Sequence, residues 1–171
     1  MLLCLALPVG FLQIIGMSEA SDLYERDIVR WSERQAGLLR RVLDGDPLNE
    51  APDWLNIIEE IEDLGISRRL ELASCVGKIL EHLIRLEASP ADGPRRGWRV
   101  SVRTGRAELE RLLKHVPSLR RTVVAVIADE LPGAKARASA ALADYGEVPC
   151  VDIGGLEFSE ERVLGDWFPE G

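Results

Sequence analysis

The sequence predicts an all-α protein, a small helical bundle of about four main helices with a long second helix and an irregular C-terminal clasp. Three observations predict it. Apolar residues recur in steps of three and four along several stretches, which sets each group on one helix face at about 100° per residue. Helix-stopping runs separate those stretches, at Asp44-Gly45-Asp46-Pro47 and at Ser89-Pro90-Ala91-Asp92-Gly93-Pro94. The balance of 46% hydrophobic and 29% charged residues is that of a globular chain rather than a disordered or membrane-embedded one.

The first helix is expected from about Leu23 to Leu43, capped by Ser21 or Asp22. Ile28, Trp31, Ala36, Leu38, Leu39 and Val42 recur at helical spacing. The second helix begins near Asp53 and reaches Leu86. Trp54, Ile57, Ile58, Ile61, Leu64, Leu72, Val76, Ile79, Leu83 and Leu86 form one continuous stripe along it. Gly65 falls in that stripe and marks close packing or a break. Leu55, Ile66, Leu70, Ala73, Leu80 and Ile84 occupy a flanking arc. A helix apolar on so much of its girth is central in a bundle or shared with a partner chain.

The third helix runs from Gly97 or Trp98 to His115, with Trp98, Val102, Leu109, Leu112, Leu113 and Val116 inward. Pro117 suits the first turn of a fourth helix carrying Leu119, Val123, Val126, Ile127 and Leu131. Pro132-Gly133 should kink or interrupt it before Ala134 to Tyr145 resumes. Ser159 starts one short helical turn through Leu164. Trp167, Phe168 and Pro169 are expected to tuck back onto the bundle as an apolar clasp.

The chain has 171 residues, enough for a single helical domain over residues 18–171 with a real core. Residues 1–17 carry no charge. They lack the basic start of a secretory signal and are too short for a spanning helix. They read as an apolar leader ahead of a true start at Met17, and a membrane is an unlikely partner unless that leader is retained as an anchor. The net charge of −8 argues against wholesale nucleic-acid binding. The three cysteines, Cys4, Cys75 and Cys150, are too few and scattered for a disulfide framework or zinc site, which points to a reducing, cytoplasmic setting. Cys75 fits a small core position.

Several patterns occur together in order. They are Leu23-Tyr24-Glu25-Arg26-Asp27 with Trp31 and Gln35-Ala36-Gly37-Leu38-Leu39-Arg40; Asn56-Ile57-Ile58-Glu59-Glu60-Ile61-Glu62-Asp63-Leu64-Gly65 with Arg68-Arg69; His82-Leu83-Ile84-Arg85; Trp98-Arg99 with Arg103 and Pro117-Ser118-Leu119; and Trp167-Phe168-Pro169. In this combination the chain resembles the bacterial family known as domain of unknown function 29, from about Leu23 to Pro169. The resemblance implies a small all-helical protein and names no activity. Glu87 stands where that family commonly carries an aromatic residue. Residues Cys150 to Phe158 replace its usual Cys-Pro-Trp turn.

Three constellations could carry chemistry. Glu59, Glu62 and Asp63 share helix faces and could hold a divalent metal, the one cofactor the sequence admits. His82, the nearest imidazole, lies about six turns away, roughly 30 Å along one helix, so a shared metal needs a second chain. The bland alternative is a solvated acidic face, with His82 hydrogen-bonded at the core edge. Trp98, Arg99, Arg103 and Arg106 could grip phosphate and stack a base. The simpler expectation is charge pairing between the basic third helix and the acidic second one. Arg68 sits near the stripe centre, which suggests an interface or a buried ion pair with Glu71. No catalytic residue can be named. The favoured reading is a self-associating interaction module. The alternatives are a metal-dependent enzyme and a nucleic-acid-binding or antitoxin-like accessory protein.

Overall fold

Where periodicity predicts one helix over Leu23 to Leu43, a computed structural model, which describes residues 19–170, has two. They are α1, Glu19–Arg26, and α2, Ile28–Asp44. Asp27 makes the break. Its backbone leaves helical space, at φ −155° and ψ 86°, and its carboxylate accepts the Arg30 amide at 3.1 Å. An aspartate that can satisfy a free amide of the following turn starts a new helix as readily as it continues the old one. The expected cap Asp22 instead lies inside α1 and pairs with Arg26. α2 stops at Gly45, whose φ of +75° suits a residue without a Cβ. There the Gly45 and Asp46 amides close on the Val42 and Arg41 carbonyls at 3.2 and 3.0 Å. The leader expected over residues 1–17 lies outside the described residues.

The long helix is α3, Trp54–Ala88, and Gly65 does not break it. α4 is Arg95–His115. Pro117 opens a 3-10 helix, Pro117–Thr122, rather than the first α-turn of the next helix. α5, Val123–Asp144, then runs straight through Pro132. The expected interruption is absent because both sides of the proline are anchored: Ile127 and Leu131 are buried before it, and Ala134 and Ala138 after it. Packing on both flanks outweighs one lost amide bond. Asp152 caps a second 3-10 turn, Ile153–Gly155, accepting the Gly154 amide at 3.0 Å. Ser159 caps α6, Glu160–Leu164, as its sequence position predicts, accepting the Arg162 amide at 3.3 Å. Among the described residues there is no strand, and no helix is long and apolar enough to cross a membrane.

The chain forms two compact units, one ending at Leu64 and one beginning at Gly65. The first has a small core of Trp31, Leu38 and Ile57. The Tyr24 ring meets Trp31 edge-on, 4.9 Å between centroids. Asp53 fastens the entry to α3: its carboxylate accepts from Trp31 Nε1 at 3.3 Å and Asn56 Nδ2 at 2.7 Å, and its amide donates to Gln35 Oε1 at 2.9 Å. Arg34 donates to Glu50 at 3.0 Å and holds that carboxyl below the usual carboxylate range.

The second unit has a much larger core. Leu72, Val76, Ile79, Leu80 and Leu83 of α3 are sealed within it, with Val102 and Leu109 of α4, Val123 of α5 and Val163 of α6. α4 packs on α3 at Gly105, where a Cβ would stand 2.9 Å from Ile79 Cγ1. Cys75 occupies the core as its pattern predicts, and burial pushes its thiol pKa up.

Candidate functional site

The opening turns of α3 are covered on one side. Ile57 is buried and Glu60 accepts a hydrogen bond from Tyr24 Oη at 2.7 Å, which pushes the phenol pKa up to about 12. On the open side Trp54 is 49% exposed, Leu55 80%, Ile58 52% and Ile61 63%, and Leu64, about two turns beyond Ile57 on its side of the helix, is 67% exposed. Trp54, Ile58 and Ile61 fall within about 60° of one another around the helix axis. Leu55 and Leu64 flank them. In the second unit Ile66 and Leu70 of the same helix are also exposed. Every residue from Ile61 to Glu71 is exposed, which is about three full turns of helix without cover. A run of large apolar side chains open to water adds little to the chain's own fold.

Arg68 and Glu71 form the expected ion pair, at 2.7 Å, but both are exposed rather than buried. The end of α4 stands beside this turn, where Arg68 and Glu71 line a shallow cleft with Arg111, Leu112 and His115 and stay in reach of water.

Glu59, Glu62 and Asp63 are exposed in the first unit, and His82 lies in the second. Among the described residues no three His, Cys, Asp or Glu groups come together where they could hold a metal ion. His82 sits at the core edge as expected, yet its Nδ1 is buried without a hydrogen-bond partner. Burial, helped by the Arg85 charge, holds its pKa below the ordinary histidine value, and Glu81 opposes this. Glu81 is itself paired with Arg85 and Arg137.

The basic face of α4 is used in a way sequence spacing did not indicate. Trp98 is buried in the core, so its indole face is not presented for stacking on a base. Arg106 is buried and acts as a clamp on the C-terminal segment. Its Nε donates to the Val163 carbonyl at 3.0 Å, and one Nη donates to the Arg162 and Trp167 carbonyls at 2.6 and 2.7 Å. Two of these are carbonyls at the end of α6, which have no partner inside the helix and favour a cation. Burial lowers the Arg106 pKa, and Asp166 acts to raise it. Arg99 donates to the Pro169 carbonyl at 3.4 Å. The guanidinium carbons of Arg99, Arg103 and Arg106 stand 5.2, 5.5 and 4.9 Å from the Phe168 ring centroid.

The expected clasp therefore forms, held by arginines on the Phe168 ring as well as by apolar packing. The sequence contained a signal for this: an arginine series beside an aromatic C-terminus. Among the described residues the ion pair made by the Arg95 to Arg121 stretch joins Arg120 to Glu160, at 3.8 Å. Beside the clasp lies a cleft of about 880 Å³, lined by Arg103, Arg106, Glu110, Arg120, Asp166 and Phe168 among others.

Neither a curated protein nor a solved structure matches this chain. The family described as Domain of unknown function DUF29 matches residues 23–148. That stretch takes in the open face of α3 and the whole of α4, and it ends before the clasp residues that Arg106 holds. With most of its length matched, the chain belongs to the DUF29 family.

Proposed function

We propose that this protein is a self-associating interaction module that pairs with a second copy of itself through the open face of α3. The observation that carries this reading is the exposure of Trp54, Leu55, Ile58, Ile61 and Leu64 on adjacent turns of one helix. Fully burying a side chain of this size contributes roughly 1.5–3 kcal/mol. Two such faces together are large enough to offset the roughly 4–15 kcal/mol that association costs in lost freedom.

The charges along α3 favour a second copy as the occupant. Glu59, Glu60, Glu62 and Asp63 precede Arg68 and Arg69. Two helices paired antiparallel about a two-fold axis set the acids of each beside the bases of the other, so one surface complements itself. A cytoplasmic setting is in keeping with the free thiols of Cys75 and Cys150.

Sedimentation equilibrium on the full chain tests the reading. The expected mass is twice 18.9 kDa. The double variant Ile58→Glu, Ile61→Glu should sediment as a single chain with unchanged helical circular dichroism, because both side chains are exposed in the isolated fold. A wild-type chain that stays monomeric up to millimolar concentration overturns it.

A further inference from the structure

We infer that the cleft beside Phe168 binds a small organic anion, a phosphate or carboxylate head carried on an apolar body. The cleft lies wholly in the second unit, and the inference stands independently of the α3 face. Its volume of about 880 Å³ falls within the roughly 300–1,000 Å³ of small-molecule sites. Leu113, Leu164 and Phe168 provide apolar walls, and Arg103, Arg106 and Arg120 provide cations.

The arrangement of those cations favours an anion. Three guanidinium groups crowd one Phe168 ring. Their mutual repulsion is only partly offset by the ring's negative face. The result is a local positive site on a chain whose net charge is −8. The guanidinium of Arg106 is held in place by three main-chain carbonyls, and its second Nη makes no hydrogen bond among the described residues. Arg103 touches the ring and donates no hydrogen bond among the described residues. Arg120 meets Glu160 at 3.8 Å, beyond hydrogen-bond reach, so its donors are open. Guanidinium forks match the paired oxygens of carboxylate and phosphate, and a fork already fixed in place loses little freedom on binding.

Glu110 and Asp166 also line the cleft. They oppose a long polyanion and favour a compact head that can sit among the arginines, with its apolar body on Leu113 and Phe168. A single-stranded nucleic acid is thereby disfavoured.

Calorimetric titration of the full chain with phenyl phosphate, benzoate and inorganic phosphate tests the site. At least one of the two aromatic anions should bind saturably, and more tightly than inorganic phosphate, which has no apolar body. Whichever binds better identifies the head. Arg103→Ala and Arg120→Ala should each weaken binding roughly tenfold, the loss of one charge-assisted hydrogen bond. Both side chains are exposed, so each variant should stay folded, with Arg103→Ala losing only its contact with the Phe168 ring. No saturable binding at tens of millimolar, or binding unchanged in the double variant, overturns the inference. So does a single-stranded oligonucleotide that binds more tightly than phenyl phosphate.

Discussion

The two ends of α3 carry the same apolar stripe and meet different surroundings. Leu72, Val76, Ile79, Leu83 and Leu86 are sealed in the core of the second unit, while Trp54, Ile58, Ile61 and Leu64 stand open in the first. Spacing therefore identifies which face of a helix is apolar, and says nothing of what covers that face. Coverage is a property of the neighbours. α4 and α5 supply it after Leu72, whereas every residue from Ile61 to Glu71 is exposed. The buried end stabilises the fold, and the open end is the face we propose for pairing with a second copy.

The largest expected effect breaks the two ends apart. Leu83→Ala should cost about 3 kcal/mol of unfolding free energy, because it removes buried contacts and leaves a cavity. Leu64→Ala, read by urea denaturation at low protein concentration, should cost less than about 0.5 kcal/mol. Equal losses would mean that the open face is covered within a single chain.

Next comes the clamp. Arg106→Ala leaves the Arg162, Val163 and Trp167 carbonyls without their donor. It should cost about 2 kcal/mol and change the near-UV circular dichroism of Trp167. Arg106→Lys should not restore it, since an ammonium cannot reproduce the fork. Full rescue by lysine would reduce the clamp to a simple charge effect.

A pair of helical glycines, Gly105 and Gly65, sharpens the contrast at smaller scale. Gly105→Ala forces a Cβ to 2.9 Å from Ile79 Cγ1 and should destabilise by about 1 kcal/mol or more. Gly65→Ala meets nothing within 4 Å and should stabilise the single chain by about 0.5 kcal/mol through helix propensity. If Gly65→Ala instead weakens the self-associated form, Gly65 is where two copies approach closely.

The smallest effect is in pH. Burial and Arg85 lower the His82 pKa from 6.5, so the folded state prefers neutral imidazole. The stability this confers is present above pH 6.5 and is lost as pH falls through the lowered folded value. Melting temperature should drop as pH falls from 6.5 toward that lowered value, and His82→Gln should flatten this part of the profile. An unchanged slope in the variant would place the acid sensitivity elsewhere.

Much of the fold was legible in residue order. The extent of α3 from Trp54, the loop at Ser89 to Pro94, the Gly45 stop and the Ser159 cap each follow from local chemistry that acts within a few residues. Pro132 was misleading because its local cost was set against burial on both sides, which no short window contains. Asp27 was missed because an aspartate at the edge of an apolar pattern suits a helix interior and a helix start about equally until the Arg30 amide is seen in reach. The arginines of α4 were recognised as a group, but their partners lie about 60 positions onward, at Arg162 to Phe168.

The sequence by itself determined the helical class, the family and the identity of every apolar face, because these depend on periodicity and on residue types close along the chain. Only the tertiary structure decided which faces are covered, which arginines hold the C-terminus and which donors remain open. Those outcomes depend on groups distant in sequence competing for the same space. The open turns of α3, exposed among the described residues, are where that competition leaves apolar side chains facing water.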